Sequence, residues 1–69
     1  MNRKAIEDRI FFVSCIIEKY KMEENISGDA AVKKMKKCGA LSWLYDHFEF
    51  LHTESEDNVI HEMHELFAI

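Results

Sequence analysis

A chain with no proline and only two glycines, Gly28 and Gly39, has few points at which a helix can be broken or a tight turn made. Over 69 residues this argues against a turn-rich sheet and for an all-α fold. The most apolar run, Ile10 to Ile17, reads Ile-Phe-Phe-Val-Ser-Cys-Ile-Ile, and the rest of the chain has to cover it. At this length a single core only just offsets the entropy of ordering the backbone. The expectation is one helical domain over residues 1–69, folding alone or with help from a second copy.

Helical periodicity divides the chain into four segments. In residues 3–22, Ile6, Ile10, Val13, Ile17 and Tyr20 recur at helical spacing, widened by Phe12 and Ile16, and predict a hydrophobic first helix that serves as a spine. Phe11 and Cys15 fall on the other side of that helix, among polar neighbours. After a connection at 23–26, Ser27 is placed to cap a second helix, with Asp29 in its first turn. Ile26 stands before the cap and can staple onto Ala31. Ala31, Met35 and Cys38 form the inner stripe, the lysines gather at the C-terminal end, and Gly39 closes the helix. A third helix is expected from Ala40 to about Phe50. It has Leu41, Leu44, Tyr45, Phe48 and Leu51 on one face, and Trp43, His47 and Phe50 on its flank. Thr53 and Glu56 have capping-box spacing for a fourth helix from about Glu56 to Phe67, with Ser55 as an alternative cap, and Val59, Ile60, Met63, Leu66 and Phe67 turned inward. The fold class is therefore a compact four-helix domain.

Charge is unevenly distributed. All nine Lys and Arg lie at or before Lys37, whereas residues 40–69 carry acids and histidines but no Lys or Arg. The asymmetry bears on partners and solubility rather than on fold. Cys15 and Cys38 sit in apolar runs with no Cys-x-x-Cys pairing, which suits reduced thiols in a cytoplasmic protein. Arg3 and Lys4 before the apolar octet give a slight likeness to a secretory signal. Glu7, Asp8 and Arg9 interrupt it, no small-residue cleavage site follows, and eight residues are too few to span a bilayer. No membrane partner is expected.

Three chemistries can be set against a purely structural role. His61 and His64, three apart on a helix, could share a metal ion with Asp57, Glu65 or His52, but they lack the i, i+4 spacing of zinc proteases and read as solvated surface. No metal or cofactor is expected. His52 could serve as a base for Cys15 or Cys38, yet nothing in the sequence brings a thiol to it, and a hydrogen bond locking the corner before the last helix accounts for it. No catalytic residue is assigned. Lys33, Lys34, Lys36 and Lys37 followed by Gly39 and a new helix imitate helix-turn-helix order. However, the helix after the turn offers Trp43, Asp46, His47 and Glu49 where base and phosphate contacts need Arg, Lys, Asn or Gln. The acidic second half would also repel phosphate, which argues against a nucleic-acid partner.

A surplus of aromatic surface remains. Phe11, Cys15, Trp43, His47, Phe50 and His52 exceed what a small bundle needs, and interfaces are enriched in aromatic side chains. These six are the candidate partner-binding residues, for another protein or a second copy.

Ile16-Ile17-Glu18, Ile26-Ser27-Gly28, Gly39-Ala40, Leu44, and Leu51-His52-Thr53 followed by Ser55, Val59 and Ile60 resemble a family of short bacterial proteins known only as a domain of unknown function. The resemblance runs over the chain past residue 10, and the Leu-His-Thr triplet is its sharpest feature. Glu54 stands where that family has a glutamine-like residue. Members are often encoded beside a larger protein of ADP-ribosyltransferase type, so the resemblance implies an accessory or antitoxin-like partner with no catalytic residues of its own. The resulting expectation is a small, non-enzymatic interaction protein. The alternatives are a DNA-binding regulator acting through the lysine-rich second helix and a small His-based metal-binding protein.

Overall fold

A computed structural model describes residues 3–69, and every regular element in them is helical: α1 (Arg3–Glu24), α2 (Gly28–Cys38), α3 (Ala40–Asp46), α4 (Phe48–Leu51) and α5 (Glu56–Phe67). The all-α expectation holds, but the element count is five rather than four. The third segment is interrupted at His47, whose φ of −106° and ψ of 20° leave the helical region.

The boundaries follow local chemistry. Asn25, in the left-handed region at φ 55°, ends α1. Ile26 N–H donates to the Lys21 carbonyl and Asn25 N–H to that of Met22, the paired bonds of a Schellman stop. Ser27 then accepts from the N–H of Ala30 to start α2. Gly39, at φ 94°, is the whole connection to α3, and a side chain would be strained there. Of the two candidate caps for the last helix, Ser55 performs the role, accepting from the N–H of Asn58. Thr53 instead donates its hydroxyl to the Phe50 carbonyl.

The core is built from Ile16 and Tyr20 of α1, Ala31 and Met35 of α2, Ala40 and Leu44 of α3, Leu51 of α4, and Val59, Ile60 and Met63 of α5. Each large aliphatic side chain taken out of water here contributes roughly 1.5–3 kcal/mol. Tyr20 is fully buried, and its hydroxyl avoids a desolvation penalty by donating to the Ile69 carbonyl at 3.0 Å. Helix α1 touches α2, α3 and α5.

Three positions expected to face inward, Ile6, Ile10 and Leu66, are exposed. On α1 the buried line is Arg9, Ile16 and Tyr20, flanked by half-buried Phe12, Val13 and Ile17, while Ile6 and Ile10 are exposed. The octet is apolar nearly all round, so more than one helical stripe was available. The later helices selected the one rotated toward Arg9. On α5, Val59, Ile60 and Met63 are buried as expected, but Leu66 stands out into solvent at 62% exposure.

Arg9 is the charged residue of the interior, only 7% exposed. Its Nη1 donates to the Tyr45 carbonyl at 2.6 Å, in the last turn of α3, where carbonyls run out of in-helix partners. Its Nη2 reaches Glu49 Oε1 at 3.3 Å, and the guanidinium lies 5.5 Å from the Tyr45 ring centroid and 5.2 Å from that of Phe48. One side chain on α1 thereby ties down both halves of the interrupted segment.

Candidate functional site

The α3–α4 corner positions the aromatic residues. Each of its histidines turns back onto the residue four before it. Nδ1 of His47 lies 3.0 Å from the Trp43 carbonyl, and Nδ1 of His52 lies 2.9 Å from the Phe48 carbonyl. As the carbonyls can only accept, each ring presents its N–H there. The His52 ring also stacks on Phe48 at 4.6 Å and 19°, and the His47 ring lies 6.3 Å from that of Trp43. Both rings thus fasten helix ends, so His52 has a structural bond of the kind that suffices to account for it.

The six candidate partner-binding residues fall into two groups that share no hollow. Phe11, Cys15 and His52 edge a depression of about 310 Å³ completed by Asp8, Phe12, Phe48 and Glu56. Phe11 is 71% exposed there, whereas Phe12 meets Phe48 edge-on at 5.5 Å. Cys15 and Cys38 are free thiols, both half-buried, and Cys38 Sγ lies 3.5 Å from the Met35 carbonyl. The imidazole of His52 is engaged with Phe48.

Trp43, His47 and Phe50 line a larger groove of about 530 Å³, walled on its other side by His61, Glu62, Glu65 and Leu66 of α5 and floored by Leu51. Trp43 is half-buried and fixed by the edge of Phe67, with ring centroids 5.6 Å apart. Phe50 at 69% and Leu66 at 62% exposure stand on either side of the opening. Leu66 and the α5 acids escape a reading by residue type. Leu66 falls at the margin of the α5 stripe, and that marginal placement is the signal that could have separated it from the core.

The remaining histidines are accounted for at the surface. His61 Nε2 lies 3.1 Å from Glu65 Oε1, a pair that carries opposite charges only when the ring is protonated, and the His64 ring lies 6.2 Å from that of Tyr20. Among the described residues no three His, Cys, Asp or Glu side chains converge in a manner that could hold a metal ion. No helix among them is long and apolar enough to cross a membrane. Lys33, Lys34, Lys36 and Lys37 are all exposed and, among the described residues, take part in no ion pair.

The molecule defined by this fold and surface is a small all-α protein whose core holds Tyr20 and whose other aromatic residues include several that line open hollows on its surface. The chain belongs to a family described as protein of unknown function (DUF3791), whose family model matches residues 11–68. Comparison with curated proteins and with solved structures gave no match.

Proposed function

We propose that this chain is a non-enzymatic interaction protein, the accessory or antitoxin-like partner of a larger bacterial protein, which it engages through the groove between the α3–α4 corner and α5. The observation that carries the reading is the state of Phe50 and Leu66. Both are large apolar side chains left more than half exposed beside a groove that already holds Trp43 and Leu51. Side chains of this kind, clustered around a hollow, are what protein partners bury. The resemblance to proteins encoded beside ADP-ribosyltransferase-type neighbours supplies the kind of protein to try first.

The test is co-expression with the protein encoded next to this one, followed by purification through a tag on that neighbour. The expected result is co-elution that Phe50→Ala and Leu66→Ala together abolish while the helical circular-dichroism signal is kept. Co-elution untouched by that double variant would overturn the assignment of the face. A rival reading, DNA binding through α2, is favoured by the four exposed lysines, which form no ion pair among the described residues, and opposed by the absence of Lys and Arg from α3 onward. Salt-dependent binding to duplex DNA, lost when those lysines are changed to glutamine, would decide for it.

A further inference from the structure

The groove has a charge as well as a shape. Its apolar surface comes from Trp43, Phe50, Leu51 and Leu66, and its charged rim is Glu62 and Glu65. The chain offers no Lys or Arg after Lys37, so no permanent cation belongs to any element that lines it. Of the two histidines that line it, His61 is paired with Glu65 and offsets its charge only when protonated, while His47 turns its Nδ1 to the Trp43 carbonyl. The groove lies between helical walls, and no strand occurs among the described residues to offer a sheet edge, so an added β-strand has nothing to pair with. A helix laid between two helices anchors itself through apolar side chains at i, i+3, i+4 and i+7, a pattern suited to a trough with an apolar floor and a polar rim.

From this complementarity we infer that the groove receives a cationic amphipathic helix of a partner protein, its leucine-like residues placed between Phe50 and Leu66 and its Lys or Arg residues facing Glu62 and Glu65. The inference deepens the interaction reading and rests on it, adding the chemistry of the partner. Apolar contact supplies most of the affinity. The acidic rim selects basic helices over acidic ones, because like charges brought to a partly dehydrated rim oppose docking.

Trp43 is the only tryptophan in the chain and lines the groove, so its fluorescence reports occupancy directly. The probes are a synthetic helix of leucine and lysine with leucines at helical spacing, and its leucine–glutamate counterpart. The lysine peptide is expected to shift Trp43 emission saturably, and the glutamate peptide to leave it unchanged. Phe50→Ala should weaken the lysine peptide by about tenfold or more. Glu62→Gln with Glu65→Gln should weaken it by about fivefold and flatten its salt dependence. Equal response to both peptides, or a response indifferent to Phe50→Ala, would overturn the inference. So would a wild-type protein whose Trp43 emission and sedimentation both change with its own concentration, since the occupant would then be a second copy. With a co-purified natural partner, dependence on Phe50 without dependence on Glu62 and Glu65 would sink the cationic chemistry and leave the interaction reading standing. Independence of all three would sink both.

Discussion

The α3–α4 corner has two aromatic flanks, and the chain treats them differently. On the α1 flank, Phe48 is met edge-on by Phe12, stacked by His52 and faced by the Arg9 guanidinium. On the α5 flank, Trp43 is held by Phe67, but Phe50 beside it has 69% of its surface in water. Both flanks are fed by the same short stretch of sequence and by the same residue types. What separates them is a long side chain reaching across from another element. Arg9 sets its guanidinium against two aromatic rings and delivers its charge to a carbonyl and a carboxylate, whereas the α5 side offers His61, Glu62, Glu65 and Leu66 at the corresponding gap. The fold therefore covers Phe48 on the α1 flank, where Phe11 alone stays open at the edge, and leaves Phe50 and Leu66 together in water on the α5 flank.

Variants at graded positions test this contrast. Leu44 is fully buried at the corner common to both flanks, and Leu44→Ala should cost about 3–4 kcal/mol, enough to leave a chain of this size largely unfolded at 37 °C by circular dichroism. Opening the α1 flank alone comes next. Arg9→Ala should destabilise by about 2–3 kcal/mol in urea titration, because the Tyr45 carbonyl loses a charged donor and two rings lose their cover. Glu49→Gln should be nearly silent, since Glu49 Oε1 belongs to a side chain that is 86% exposed. A large effect of Glu49→Gln with a small one of Arg9→Ala would reverse the account of that flank. His52→Ala, which removes the stack on Phe48 and the bond to its carbonyl, should cost about 1 kcal/mol. On the open flank, Phe50→Ala and Leu66→Ala should each stay within about 0.5 kcal/mol of wild type. A melting point that drops as far as it does for Arg9→Ala would mean that the groove belongs to the core after all.

The smallest effect concerns the ion pair between α1 and α5. The hydrogen bond to Asp57, and then its negative charge, raise the Lys19 ammonium above its ordinary 10.5. A raised ammonium pKa stabilises the fold fully below the unfolded value, and that contribution is lost as pH rises through the folded one. Wild type should therefore melt slightly above Lys19→Met at neutral pH, and the two curves should merge in strongly alkaline buffer. A gap that widened with pH would contradict the sign.

The parts of this fold that were legible in sequence are those decided locally. Ser27, Gly39 and Ser55 mark helix ends with groups that satisfy neighbouring backbone atoms, and the structure uses all three. The break at His47 was not legible. Periodicity runs through Asp46 and Glu49 without glycine or proline, and the Tyr45 carbonyl at the break is taken up by Arg9, which lies 36 residues away. The choice of face on α1 was also tertiary. Arg9, Val13, Ile16 and Tyr20 share the same 4-3-4 spacing as Ile6, Ile10, Val13 and Ile17, but the charge on Arg9 kept that residue out of the expected inner stripe while Ile6 and Ile10 were counted in it. The candidate site was legible as a surplus of aromatic residues and not as a place, because exposure depends on where the neighbouring helices stop. Phe11 and Phe50 proved open and Trp43 half-closed for that reason.

The one-residue joint at Gly39 also limits how such a chain can vary. A longer loop absorbs an inserted or deleted residue in its own slack. Here each residue added would turn α3 by about 100° about its axis relative to α2. Leu44 would swing out of the core, and the Tyr45 carbonyl would turn away from Arg9. The corner can therefore change in composition far more readily than in length, and its two aromatic flanks keep a fixed angular setting against the rest of the molecule.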